Sequence, residues 1–140
     1  MPLRDTYNTI IVSQEPRGRF REAIIDGTPK PGTVMQLKSA VDQVNGKFTY
    51  EVYNRDADGD RPKGAIWVLL ENKLQGKGIT DAYVSGTLGQ LYCPLPGDEL
   101  LMLVGDVSGT GDDHAIGDIM LEAATDPTAD ALMLCEFTGF

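Results

Sequence analysis

The sequence predicts an all-β, or mainly β, protein: a compact barrel or sandwich of short strands with an extended N-terminal arm. Sixteen glycines and eight prolines interrupt its 140 residues, a density that favours short strands and tight turns over helices. Apolar runs rarely exceed six residues, and 41% hydrophobic residues suffice for one domain with its own core. We assign residues 1–26 to the arm and residues 27–140 to a single β domain.

Residues 65–104 contain the only tryptophan and the two densest apolar runs, at 65–70 and 100–104. Runs this short, bounded by Gly, Pro and Asp, predict strands that are buried on both faces. A cluster of Pro and Gly at 94–97 predicts a turn, so the second of these strands should begin near residue 98 or 99. We therefore expect the core to form around this stretch.

Two further strands are predicted at 33–38 and 47–53, and the second alternates apolar and polar residues with a clear period of two. Asn45 and Gly46 predict a hairpin-type turn directly before it, and we expect the two strands to pair. Helix should be limited to a turn or two at 39–44 and at 79–83, because glycines surround the latter segment.

Three Gly-containing dipeptides stand just ahead of apolar runs: Pro31-Gly32, Gly97-Asp98 and Gly117-Asp118. In each, the glycine can adopt a positive φ, and the following Thr or Asp side chain can bond to the backbone of its own turn. These dipeptides predict the corners of a compact β structure.

The predicted arm carries four arginines, Arg4, Arg17, Arg19 and Arg21. Segments 7–12 and 20–25 could be strands, but Pro and Gly interrupt the arm and it is too poor in apolar residues to form a core. Because guanidinium groups pair bidentately with carboxylates, we expect the four arginines to dock on an acidic protein surface; a disordered tail is the alternative. Removing the arm should then weaken docking and cost the domain little stability.

The charge is distributed unevenly along the chain. The net charge is -9, all 12 Lys and Arg lie in residues 1–77, and residues 78–140 contain 11 acids and no Lys or Arg. This argues against nucleic-acid binding by the C-terminal half and predicts complementary contacts between unlike surfaces of neighbouring chains. A solvated acidic face is the alternative. A homotrimer is predicted on other grounds, because the strands at 65–104 would leave sheet edges and apolar surface that one small domain does not cover. Without a signal peptide or a long apolar segment, we expect no membrane association.

No catalytic or metal motif stands out. The only histidine, His114, lies in a Gly-rich acidic segment at 108–114, and no GxSxG or HExxH occurs. Residues 54–60 resemble a calcium loop, but Ala65 occupies the position that requires a bidentate Glu, so only adventitious cation binding is considered. Cys93 and Cys135 are expected to be buried thiols. We therefore expect no enzyme activity, no cofactor and no metal.

Several segments together resemble one protein family. They are GTPKPGTVMQL, the long segment from GKFTYEVY to GDELLMLV, AIGDIML, and the terminal TDPTADALMLCEFTGF. Over residues 27–140 the chain is similar to the small capsid decoration, or head cement, proteins of tailed bacteriophages. This resemblance implies a β-rich structural protein, made in the host cytoplasm, that binds the outer surface of the virion head. It also implies a frequent trimeric state and a role in locking neighbouring major capsid proteins together.

Two alternatives from other classes remain. One is a trimeric β-barrel enzyme, such as a nucleotide hydrolase, whose sites lie between subunits. The other is a carbohydrate-binding module on the virion surface, for which Trp67, Tyr83 and Tyr92 could supply stacking faces. The position of Trp67 within an apolar run favours a place in the core.

Overall fold

The computed structural model describes residues 9–38, 43–44, 46–53, 64–76, 78–103, 118–120 and 132–137. These residues contain nine strands: β1 (Arg19–Ile25), β2 (Val34–Leu37), β3 (Gln43–Val44), β4 (Lys47–Val52), β5 (Trp67–Leu69), β6 (Thr87–Cys93), β7 (Glu99–Leu103), β8 (Asp118–Met120) and β9 (Leu132–Phe137). A 3-10 helix spans Lys73–Gln75, and no helix among the described residues has the length and apolar character needed to cross a membrane. The prediction of a mainly β protein is confirmed.

Five strands close into a barrel. The larger sheet has the order β1-β6-β5-β2-β4-β3, and β1 also pairs with β4. That closing contact is parallel and joins Ile24 to Thr49 and Ile25 to Tyr50, whereas the other pairings in this sheet are antiparallel. The compact β barrel expected from the sequence is therefore present.

A smaller sheet, with the order β7-β9-β8, packs against the barrel. Its β7 edge is extended by an N-terminal segment, residues 10–13, in which Ile11 forms a bridge with Leu100. The amide of Leu101 donates to the carbonyl of Ile10 at 2.8 Å, and the amide of Val12 donates to the carbonyl of Glu99 at 2.9 Å. The N-terminal segment is thus part of the second sheet.

The apolar side chains form two clusters. One fills the barrel and contains Ala23, Ile25, Met35, Tyr50, Trp67, Leu69, Tyr83 and Leu91. The other lies between the barrel and the smaller sheet and includes Ile10, Val34, Tyr53, Val68, Tyr92, Leu100, Met102, Leu134 and Phe137. Strands that alternate between the two clusters are buried on both faces, as all three residues of β5 are.

The strand predictions agree with the structure to within one or two residues. The runs at 65–70 and 100–104 correspond to β5 and β7, and β7 begins at Glu99 as expected. The predicted pairing of 33–38 with 47–53 is confirmed, because β2 and β4 are antiparallel neighbours. The tight turn at Gly46, where φ is 79°, joins β4 to β3.

Two of the three predicted corners are confirmed. Gly32 has a φ of 93° and Gly97 a φ of 97°. The Thr33 hydroxyl donates to the carbonyl of Lys30 at 2.7 Å, and Asp98 accepts the amide of Leu95 at 2.9 Å. The Gly117-Asp118 corner lies partly outside the described residues. Residues 79–80 form a turn and 81–83 have no regular secondary structure, while 43–44, part of the other predicted helical turn, is strand β3.

The prediction of a separate N-terminal arm is wrong for the residues that the structure describes. All seven residues of β1 pair with β6, and Ile10, Ala23 and Ile25 have no exposed surface. Residues 10–13 and 19–25 therefore belong to the smaller sheet and to the barrel, respectively. β1 was mistaken for part of an arm because its first four residues are mostly polar. Its last three residues are buried by strands that are distant in the sequence.

Candidate functional site at the mouth of the barrel

The first half of β1 brings two arginines to one end of the barrel. Side chains alternate along a strand, so Arg19 and Arg21 lie on the same face as Ala23 and Ile25, which are buried inside the barrel. β4 pairs with β1 only at Ile24 and Ile25 among the described residues. The barrel is therefore closed around the second half of β1 and open beside the first half.

A pocket of about 490 Å³ lies at this open end. We call it the mouth pocket; its lining residues are Arg19, Arg21, Leu37, Tyr50, Gly64, Ala65, Trp67 and Cys93. All five barrel strands and the segment that leads into β5 contribute to it. The mouth pocket continues the barrel interior outward, because Tyr50 and Trp67 also belong to the cluster that fills the barrel.

Arg21 is held in place by two aromatic residues. Its guanidinium carbon lies 4.6 Å from the centroid of the Trp67 ring, within the range of a cation–π contact. Its Nη1 donates a hydrogen bond to the Tyr50 hydroxyl at 2.5 Å. The pocket thus has a cation fixed on an aromatic wall.

Arg19 lies opposite Cys93 in the β1–β6 pairing, on the same side of the sheet as Arg21. Burial raises the pKa of the Cys93 thiol, and the positive charges of Arg19 and Arg21 oppose that rise. Cys93 is half-buried in the pocket wall, whereas Cys135 is buried in the other cluster. The expectation of two buried thiols is thus confirmed for Cys135 and only partly met by Cys93.

The positive charge of the mouth pocket is not neutralised by the described part of the chain. Lys38 pairs with Asp26 at 3.6 Å and Lys47 pairs with Glu22 at 3.2 Å, both at the surface. Within the described residues, neither Arg19 nor Arg21 forms an ion pair with a carboxylate. Among the described residues, no carboxylate therefore competes with an external anion for these two cations.

The four arginines predicted to dock together are separated by the structure. Arg19 and Arg21 share the mouth pocket, while Arg17 is exposed and lies 3.6 Å from the equally exposed Glu15. Arg4 lies outside the described residues. The sequence reasoning missed Tyr50, Leu37 and Cys93 as pocket residues. One signal could have placed both arginines on the inward face. Arg19 and Arg21 occupy every second position of β1, in step with the buried apolar residues at its end.

The aromatic residues considered for carbohydrate stacking are buried. Trp67, Tyr83 and Tyr92 are 4%, 1% and 0% exposed, and Arg21 covers the Trp67 ring. These residues therefore offer no stacking face, because such contacts need an exposed ring.

Tyr92 has a structural role on the opposite face of β6. Its hydroxyl donates to Asp98 at 2.5 Å and accepts the amide of Gly18 at 2.9 Å. Burial and the bond to Asp98 raise the pKa of Tyr92 to about 12. A Cβ on Gly18 would lie 2.0 Å from the carbonyl oxygen of Cys93, so only glycine permits this approach. The network fixes the chain just before β1.

The other sequence candidates cannot be placed. The calcium-loop-like segment at 54–60, the acidic segment at 108–114 and His114 lie outside the described residues. Among the residues that are described, no three His, Cys, Asp or Glu side chains come close enough together to hold a metal ion.

Comparisons with known proteins add no family assignment. No protein-family model matches the sequence, and no curated protein is significantly similar to it. The mouth pocket must therefore be interpreted from its own chemistry: two guanidinium groups, a phenol and apolar walls form a binding surface for an anion.

Proposed function

We propose that this protein is a structural virion protein that decorates the outside of a bacteriophage head and cements neighbouring major capsid proteins. The sequence resemblance to capsid decoration proteins motivates the proposal, and the barrel is compatible with it. The observation that carries the docking part is the position of Arg19 and Arg21. They lie on a paired strand at the open end of a barrel and have no carboxylate partner among the described residues.

The docking mode differs from that of a loose arm. A cation on a paired strand loses less conformational freedom on binding than the same cation on a disordered tail. Exposed arginines at the rim of an interface also steer an acidic partner into position. In our proposal Arg17, Arg19 and Arg21 therefore act from the folded domain against acidic residues of the major capsid protein.

We also propose that the protein acts as a homotrimer. Residues 78–140 contain no Lys or Arg and 11 acids, whereas all 12 basic residues precede them. Because unlike surfaces attract, this distribution supports contact between different faces of neighbouring copies. Sedimentation of the purified protein tests the proposal; a monomer at tens of micromolar and on the head would reject it.

The alternatives receive no specific support. The carbohydrate-binding interpretation relied on Trp67, Tyr83 and Tyr92, whose rings are buried. For a trimeric enzyme, no observation on the described residues favours a particular reaction.

Co-sedimentation with undecorated phage heads tests the docking proposal. The variant Arg17→Ser, Arg19→Ser, Arg21→Ser should bind heads more weakly than wild type. Its binding should also depend less on salt concentration than the binding of wild type does. The matched control, Lys30→Ser, Lys38→Ser, Lys47→Ser, removes the same charge from outside the pocket. Losing contacts of about 1.5 to 3 kcal/mol each should lower affinity more than tenfold.

Two results would count against the proposal. If the arginine variant decorates heads like wild type at every salt concentration, the docking assignment is wrong. If the lysine control loses as much binding, general charge attraction explains the result and the mouth of the barrel has no special role. Cryo-EM of decorated heads would then show which surface faces the shell, or that no density is present.

A further inference from the structure

We propose that the mouth pocket binds a single carboxylate carried on an apolar stem, namely an acidic side chain of the protein on which the barrel docks. The identity of the donor chain rests on the proposed function. The selectivity of the pocket for such a carboxylate rests on its own geometry and can be tested separately.

Arg21 has more N–H donors than the one that binds Tyr50. A guanidinium has five N–H donors in one plane. The bond to Tyr50 uses one of them, and the contact with Trp67 uses the face of the group and none of its N–H donors. Arg21 is therefore oriented in advance and, as far as the described residues go, keeps donors for an incoming oxygen.

The polar groups beside Arg21 can bind the same ligand. Arg19 is two residues away on the same face, a separation of about 7 Å along a strand, so the flexible Arg19 side chain can reach a carboxylate that is bound by Arg21. The Tyr50 hydroxyl accepts a hydrogen bond from Arg21, so its own proton remains available for donation. Together these groups can surround the two oxygens of a carboxylate.

The walls of the mouth pocket favour a ligand with an apolar stem. Leu37, Ala65 and Trp67 supply apolar surface around the cations. A strongly hydrated dianion such as phosphate gains nothing from such walls, whereas the methylene groups of a Glu side chain are removed from water by them. The combination favours a monoanion with an apolar stem.

The single tryptophan makes a direct test possible. Trp67 is the only tryptophan in the chain and lines the pocket, so its fluorescence reports on Arg21 and on an occupant. The probe is N-acetylglutamic acid α-amide, which carries one side-chain carboxylate. The neutral isostere N-acetylglutamine amide and inorganic phosphate are the comparison probes, at constant ionic strength.

We expect a saturable fluorescence change with the glutamic acid probe and a much smaller change with the other two. Arg19→Gln and Arg21→Gln should each lower the affinity for the glutamic acid probe about tenfold, as expected for loss of a charge-assisted hydrogen bond. Arg17→Gln is the matched control, because Arg17 is exposed and outside the pocket. Arg19→Gln should fold normally, since Arg19 has no ion pair among the described residues.

Several results would overturn the inference. The glutamic acid probe could give no saturable fluorescence change, or the glutamine probe could give an equal one. Phosphate could bind more tightly than the glutamic acid probe, or Arg17→Gln could lower affinity as much as the pocket variants do. Failure of this titration rejects the pocket whatever the protein does on heads. Success of the titration with no binding to heads would reject the proposed function and leave the carboxylate selectivity standing.

The source of the carboxylate is tested with Arg19→Gln alone. The variant should sediment like wild type but bind heads more weakly. If it instead changes the oligomeric state, the carboxylate belongs to a second copy of the chain, and the assignment to a docking partner is wrong.

Discussion

The two halves of β1 pair with the same neighbouring strand but differ in burial. Residues 19–22 and residues 23–25 all pair with β6, yet the first four are exposed and the last three are buried. The difference comes from β4, which pairs with the second half only, at Ile24 and Ile25. We call residues 19–22 the open half and residues 23–25 the closed half.

This comparison shows that barrel closure decides which side chains become core. The inward face of the closed half carries Ala23 and Ile25, inside the barrel. The same face of the open half carries Arg19 and Arg21, whose charged groups could not be buried without partners. One strand thus supplies both the core of the fold and the rim of the mouth pocket.

The largest expected effect comes from removing β1 altogether. Deletion of residues 1–26 should prevent cooperative folding, because it opens the barrel and exposes the edges of β4 and β6. Circular dichroism and thermal unfolding will measure this. Deletion of residues 1–8 is the control, since it leaves every described contact in place. A truncated protein that melts like wild type would restore the idea of a dispensable arm.

The next effect separates the two halves by single substitutions. Ile25→Ala should lower the free energy of unfolding by about 2 to 5 kcal/mol, as for other fully buried aliphatic side chains. Phe20→Ala in the open half should cost about 1 kcal/mol, because Phe20 is 55% exposed and its ring packs against that of Tyr92 with the centroids 4.9 Å apart. Urea denaturation measures both. Equal losses would mean that the halves do not differ in their contribution to stability.

A smaller effect tests the anchor before the open half. Tyr92→Phe leaves the amide of Gly18 and one oxygen of Asp98 without the hydroxyl, and should cost about 1 to 3 kcal/mol. Urea midpoints at neutral pH will measure the loss. Thr87→Val is a control on the same strand, because it removes an exposed hydroxyl bond.

Tyr92, together with Tyr83, should make the stability of the fold fall at alkaline pH. The pKa values of Tyr83 and Tyr92 are raised to about 12 in the folded protein, against about 10 in an unfolded chain. Their contribution to stability is therefore complete below pH 10 and is lost as the pH rises towards 12. Urea midpoints should fall over this range, and less steeply for Tyr92→Phe. A parallel fall in both proteins would contradict the role assigned to Tyr92.

The smallest expected effect on stability belongs to the open half itself. Arg19→Gln should change the free energy of unfolding by no more than about 0.5 kcal/mol, because substitutions at exposed positions without partners are nearly neutral. Thermal unfolding beside the head-binding assay provides the measurement. A large loss of stability would show that Arg19 supports the closed half and is not reserved for a partner.

The local features of this protein were determined by its sequence alone. Short apolar runs, the alternation in β4 and the glycines at residues 32, 46 and 97 predicted the strands and turns, because periodicity and backbone freedom act over a few residues. The concentration of basic residues before residue 78 can also be read directly.

Only the tertiary structure decided what those elements become. The parallel contact between β1 and β4 turns a sheet into a barrel, and its register cannot be inferred from either strand. Arg21 meets Tyr50 across 29 residues of sequence, and it meets Trp67 across a still longer separation. Such contacts depend on which distant strands become neighbours. The sequence therefore shows that the arginines are present, and the closure of the barrel places them at the rim of a pocket.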